Sequence, residues 1–269
     1  MELVPLNKLL DLSSKTAIVT GGAMGIGFGV AYRLAEAGAN VVIADIDKEK
    51  ASDAVQQLKA KGWRAQAIAC DVSKAADVET LVAETVKTFG QIDILVNNAG
   101  IYPNILVMNM REEDFDKVID VNLKSVFLCT QKAAKQMISQ GKGGKIINIT
   151  SIDALHPSSA GLAHYDASKH GVWGFTKNAA LELAPHKIWV NAIAPGGIDT
   201  PGVEKIQKSL ELPQGVDMKK LIESFMAKIP MKKMGDADDI GKVALFLASD
   251  MASYITGAQI VVDGGVLLS

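Results

Sequence analysis

The chain has 269 residues, 48% of them apolar and 22% charged, which suits one large α/β domain or two small ones and excludes a disordered chain. A formal net charge of −2 leaves no broad field to draw in nucleic acid or anionic lipid. Two cysteines, Cys70 and Cys129, each inside an apolar stretch, are too few for a disulfide framework and suit a reducing compartment. The start of the chain lacks a basic region followed by a long apolar core, and no run approaches the ~18 apolar residues that span a bilayer. A soluble cytoplasmic protein is expected.

Residues 1–14 read as an N-terminal arm. Short, continuous, β-branched apolar runs then occur at 17–20, 41–44, 67–70, 92–96, 145–149, 188–193 and 259–262, the pattern of strands buried on both faces. Amphipathic stretches lie between them, including 26–37, 51–61, 78–89 and 115–137. The last of these carries acid from Glu112 to Asp116, as a helix N-terminus prefers. Strict alternation of strand and helix implies right-handed βαβ units. The expected fold is a single-domain Rossmann fold over residues 15–269, with a doubly wound parallel sheet of seven strands. An amphipathic insertion at about 201–230 breaks the rhythm and is expected to form a substrate lid, since it follows a strand that should border the ligand.

The first strand is followed by Gly21, Gly22, Ala23, Met24, Gly25, Ile26 and Gly27. Glycines at 21, 25 and 27 can supply a tight turn, close approach of backbone to a pyrophosphate and close helix packing. The helix N-terminus beyond them offers free N–H groups to phosphate. The second strand ends at Asp45, whose carboxylate can accept both ribose hydroxyls of an adenosine and would repel a 2′-phosphate. No Arg or Lys stands at Met24, Ile46 or Asp47 to attract one, so the cofactor is expected to be NAD rather than NADP. Arg33, further along the helix, reads as a surface residue. Asp71, before Val72, is a candidate for the adenine amino group or for a helix cap. Asn97, Asn98, Ala99 and Gly100 close the fourth strand and suit backbone-shaping hydrogen bonds beside a ligand.

Tyr165, Ser168 and Lys169 form Y-D-A-S-K in a helical stretch, so Tyr165 and Lys169 share one face. A proton-transfer phenol near neutral pH needs a shift of about three units from ~10, or ~4 kcal/mol. One ammonium at ~4 Å supplies about that much at an effective dielectric near 20. Ser151 follows the fifth strand at the sheet edge where such folds bind ligands and is placed to hold a substrate oxygen. Asn122 falls inside the 115–137 helix, where Asn is a poor helix former. It is a candidate to hold an ordered water, against an ordinary cap or exposed position.

These motifs, in this order, resemble the short-chain dehydrogenase/reductase family from about Lys15 to Gly265. The resemblance implies that Asn122, Ser151, Tyr165 and Lys169 are the catalytic tetrad. Tyr165 would be the acid/base, Ser151 would orient substrate, Lys169 would bind the nicotinamide ribose and lower the Tyr165 pKa, and Asn122 would anchor a relay water. It also implies that Asn98, with Ala99 and Gly100, lies near that ribose, and that Pro195, Gly196, Ile198 and Thr200 border the nicotinamide. A homotetramer is implied, with the apolar C-terminal stretch from Val261 to Leu268 as an interface element. Two features depart from the pattern. The Ser151–Tyr165 spacing is one residue longer than usual, and Trp189 stands where an Arg is common, a change expected at a surface or subunit contact.

The loop from Ser151 to Tyr165 should line one wall of the substrate pocket. Asp153 and His156 on it, and Tyr102 and Asn104 opposite, are candidates to bond hydroxyls. The expected reaction is NAD-dependent interconversion of a secondary alcohol and a ketone on a sugar or polyol. The alternative is a 3-oxoacyl thioester reductase, an activity that usually prefers NADP and wants a basic patch such as Lys232 and Lys233. A non-catalytic nucleotide sensor is the reading from another class. The four histidines, at 156, 164, 170 and 186, lack metal-ligand spacing, and no metal is expected.

Overall fold

A computed structural model describes residues 3–200 and 226–269. Its centre is a seven-stranded sheet in the order β3-β2-β1-β4-β5-β6-β9. The strands are β1 (Thr16–Thr20), β2 (Asn40–Asp45), β3 (Ala65–Ala69), β4 (Ile94–Asn97), β5 (Gly144–Ile149), β6 (Ile188–Pro195) and β9 (Gln259–Val262). Every pairing among them is parallel. A two-stranded ribbon of β7 (Ile198–Asp199) and β8 (Gly235–Asp236) lies apart. The fold is the single Rossmann-type domain that strand–helix alternation predicts.

The helices are α1 (Leu6–Leu9), α2 (Gly25–Glu36), α3 (Lys48–Ala60), α4 (Ala75–Phe89), α5 (Glu112–Ile119), α6 (Ser125–Gln140) and α7 (Ala163–Leu183). Within residues 226–269 lies α8 (Ala237–Ala248). Side chains alternate across each strand, so one sheet builds two cores. Ala17 and Val19 of β1 join Leu34, Leu58 and Leu247 from α2, α3 and α8. Ile18 faces the other way, among Leu81, Cys129, Met137 and Ala180 from α4, α6 and α7. With helices on both faces the strands need no polar side, which explains why the sequence shows apolar runs rather than alternation. Each fully buried Leu or Met contributes roughly 1.5–3 kcal/mol of transfer free energy.

β1 and β4 are neighbours in space but far apart in sequence, and the chain leaves them in opposite directions. A crevice therefore opens beyond their carboxyl ends, where such sheets bind ligands.

Three expectations are refined. The helix expected over 115–137 is three pieces: α5, a π-helical turn at Asp120–Lys124, and α6. Such turns insert one residue and rotate the side chains beyond them, and this one turns Asn122 inward. The N-terminal arm is tied down, because the Leu12 N–H donates to Ala37 O at 2.8 Å and its side chain is 3% exposed within the core. Trp189 makes an internal contact. It pairs in register with Lys145 of β5, whose Nζ lies 4.1 Å above the indole. Of the expected lid, 201–225 lie outside the described residues.

Candidate active site

A cleft of about 1090 Å³ opens at the carboxyl ends of β1, β2, β4, β5 and β6. One end is built mainly from backbone. Gly21 sits at φ +59°, in the left-handed region that favours glycine. A Cβ on Gly27 would overlap the Gly21 carbonyl and come within 2.6 Å of Asn98 Nδ2. Asn98 pins this loop from β4, its Nδ2 donating to the Thr20 and Gly21 carbonyls at 3.0 and 2.9 Å. No side chain caps α2 at Met24, so the N–H groups of its first turn remain for an anion.

Asp45 ends β2 with its carboxylate held by the N–H groups of Ala23, at 3.2 Å, and Asp47, at 3.0 Å. Gly21, Met24, Gly25, Ile26, Gly27, Asp45 and Ile46 all line the cleft, with Asp71, Val72, Asn98, Ala99 and Gly100 further along. Asp71 is engaged locally: its Oδ1 accepts from the Ser73 N–H at 3.1 Å and from the Ser73 hydroxyl at 2.6 Å. It is an Asx turn and does not cap α4, whose cap position is Lys74. Arg33 forks onto Asp238 of α8 through Nε and Nη2, so its guanidinium is occupied. A glycine-rich turn, an uncapped helix end and a fixed carboxylate fit a dinucleotide.

The other end is built from side chains. Tyr165 and Lys169 face the cleft from α7, Ser151 from the end of β5, Pro195 and Gly196 from the end of β6, Ile198 from β7 and Thr200 from just beyond it. Lys169 is 5% exposed. Its Nζ donates to Ile149 O at 2.8 Å and lies 5.6 Å from the centre of the Tyr165 ring. The Tyr102 ring meets Tyr165 edge to face at 5.9 Å. Asn122 is 1% exposed. Its Oδ1 accepts from the Ile101 N–H at 2.8 Å, and its Nδ2 donates to Ile101 O at 2.9 Å and to Ser168 Oγ at 3.1 Å. The amide thus clamps the loop after β4 to α7.

The expected lowering of the Tyr165 pKa is absent in the protein alone. Burial pushes the phenol well above its usual range, an interaction with the Ser151 hydroxyl opposes this, and Asp153, Tyr102 and Asp166 add to the rise. The reason is that the ammonium is itself desolvated: burial drops Lys169 to about 8, with Asp153 opposing. A cation held that weakly, and turned toward a carbonyl, does not offset the loss of water around the phenol.

The four expected substrate contacts divide. Tyr102 and Asp153 line the cleft, whereas His156 and Asn104 do not. His156 Nδ1 bonds Pro157 O at 3.0 Å on an exposed loop. Asn104 Nδ2 donates to Ala160 O at 2.9 Å, joining the two walls of the cleft on the outside. Sequence reasoning missed Ile101, Leu162, Met226 and Met234, which add apolar lining to the cleft, and Lys117, which also lines it. Apolar residues in loops carry no sequence signal of the site they face. Among the described residues no cluster of three or more His, Cys, Asp or Glu is placed to hold a metal.

This fold and cleft define an α/β protein of Rossmann type with a cleft that fits a dinucleotide. A family model described as Enoyl-(Acyl carrier protein) reductase matches residues 21–267. The chain is 43% identical over 256 residues to the 3-oxoacyl-[acyl-carrier-protein] reductase FabG of Staphylococcus epidermidis, covering 95% of this chain and 100% of that one. It is 39% identical over 255 residues to the Diacetyl reductase [(S)-acetoin forming] of the same species, covering 94% and 99%. A crystal structure of a short-chain type dehydrogenase/reductase from Mycobacterium marinum superposes with a TM-score of 0.90 at 36% identity, covering 97% and 99%. The chain belongs to the short-chain dehydrogenase/reductase family and is an oxidoreductase acting on carbonyl or CH–OH groups.

Proposed function

We propose that the chain is an NADH-dependent reductase of 3-oxoacyl thioesters, the alternative in the sequence reading, rather than a sugar or polyol dehydrogenase. The observation that carries this is the composition of the substrate end. Ile101, Leu162, Met226 and Met234 present apolar surface, and the residues expected to bond sugar hydroxyls are elsewhere or engaged. His156 and Asn104 lie outside, Asp153 accepts from Ser151 and the Ser158 N–H, and the Tyr102 hydroxyl bonds Thr200. A hydroxylated substrate would leave buried donors unpaired here, while an acyl chain would not. The name of the 43% identical relative points the same way.

Gly21, Gly25 and Gly27 with the first turn of α2 would hold the pyrophosphate, Asp45 the adenosine ribose, and Lys169 the nicotinamide ribose. The nicotinamide supplies the hydride when bound. Tyr165 would give its phenolic proton to the ketone oxygen, and Ser151 would orient that oxygen by donating to it. Asn122 positions the Ile101 wall. Asp45 supports NAD, because a carboxylate fixed at the end of β2 would repel a 2′-phosphate bound beside it, and the occupied Arg33 offers no counter-charge. Exposed apolar residues at the chain end, Val261 at 40% and Leu268 at 91%, support a homotetramer, which light scattering would check.

The test is a steady-state panel with both reduced cofactors. A short 3-oxoacyl thioester should show kcat/KM at least about 100-fold above any sugar-derived ketone, a margin that apolar complementarity can supply. Faster turnover of the sugar would reverse the assignment.

A further inference from the structure

The cleft carries a carboxylate that the proposed chemistry does not use. Among the described residues the carboxylates lining it are Asp45, Asp71, Asp153 and Asp199, and of these Asp153 alone is buried, at 6% exposed. It lies just past β5 in a short 3-10 turn, Ile152–Ala154. Its Oδ2 accepts from the Ser151 hydroxyl at 2.7 Å and its Oδ1 from the Ser158 N–H at 2.8 Å. Both oxygens accept, as those of an ionised carboxylate do. Among the described residues no cation forms an ion pair with it.

The cleft offers that charge little compensation. The cations lining it among the described residues are Lys117, exposed on α5, and Lys169, whose Nζ donates to Ile149 O at 2.8 Å. Ile101, Leu162, Met226 and Met234 are apolar, so screening is weak. Burial sets the shifts of Tyr165 and Lys169, and the Asp153 charge acts on both, so its field reaches the groups around which a ketone would react. Donation by Ser151 to a substrate oxygen takes one donor from Asp153 and leaves its charge less compensated still.

A substrate that brings its own carboxylate meets a like charge here. At ~6 Å and an effective dielectric near 20, that repulsion is worth about 100-fold in binding. We propose that Asp153 is a specificity-determining residue that excludes anionic ketones from the cleft, so that 3-oxo acids are reduced as neutral thioesters or esters and not as free carboxylates. The inference rests on the reading of the site as a reductase of 3-oxoacyl compounds. It also orders the chemistry: the acid must be esterified before its ketone is reduced.

The experiment compares kcat/KM for 3-oxobutanoate and for its methyl ester, with NADH. The wild type should prefer the ester by about 100-fold, and in Asp153→Asn, which keeps an acceptor for the Ser158 N–H, that ratio should fall at least about tenfold. Asp153→Ser, a second neutral variant, should show the same fall. Asp166→Asn is the control, because Asp166 carries the same charge on α7 but does not line the cleft, and its ratio should stay within about twofold of the wild type. A ratio cancels whatever a variant does to both substrates alike, including a change in proton transfer by Tyr165. Equal turnover of acid and ester by the wild type, or a ratio unmoved in both neutral variants, would overturn the proposal. Failure of the underlying reading looks different: neither the ester nor a short 3-oxoacyl thioester would be reduced by the wild type at all.

Discussion

The two ends of the cleft are made by different means. At the nucleotide end the contacts are backbone: a glycine turn held by Asn98, an uncapped helix and one carboxylate fixed by two N–H groups. At the catalytic end the contacts are side chains from four separated segments, packed so tightly that the phenol and the ammonium both lose their water. The first end needs little tuning, since N–H groups bind an anion in any protein environment. The second is poised by burial, so its chemistry depends on what completes it.

The largest test of that contrast is Tyr165→Phe. It should lower kcat by about 10³-fold, the scale of a lost proton-transfer group, while NADH affinity by fluorescence titration stays within about twofold. Loss of binding together with rate would show that the two ends are not separable.

Lys169→Met addresses the burial itself. The folded pKa of Lys169, about 8, lies below the ordinary 10.5. Below pH 8 the wild type keeps a charge buried at a cost, so the methionine variant should be more stable there, though inactive. Between about 8 and 10.5 the unfolded chain binds more protons than the native one, and wild-type stability should climb relative to the variant by about 3 kcal/mol. Urea denaturation of both proteins across this window reads the difference. A constant gap would mean that the lysine is solvated.

Gly27→Ala strikes the nucleotide end. The added methyl meets the Gly21 carbonyl and Asn98, so unfolding free energy should fall by about 2 kcal/mol, with weaker NADH binding. An unchanged melting temperature and affinity would show that the turn has room. The smallest effect belongs to Asp45→Asn: kcat/KM with NADH should fall about tenfold, the worth of a charged hydrogen-bonded pair, while NADPH improves. Equal loss with both cofactors would remove Asp45 as the discriminator.

The same contrast governs what could be read without coordinates. Gly21, Gly25, Gly27 and Asp45 are legible because strand, turn and helix are contiguous, and each residue's role follows from local backbone geometry. Tyr165 and Lys169 are legible as a pair one helical turn apart, but the rise that burial imposes on the phenol in the protein alone is not. That burial depends on segments outside α7, among them Tyr102, whose ring meets Tyr165 edge to face, and the helix does not specify them. Asn104 and His156 looked like substrate ligands because they are polar and near the right strands, yet local hydrogen bonds to Ala160 and Pro157 turn them away.

By itself, the order of apolar runs and amphipathic stretches determined the parallel sheet, its two cores and the location of the cleft, because periodicity and chain direction are local properties that the fold inherits. Only the tertiary structure decided the π-helical turn that brings Asn122 to Ile101, the apolar lining of the substrate end and the grip of Asp153 on Ser151. Each of these sets one segment's side chain against another's, and desolvation and hydrogen bonding between distant segments are decided by packing.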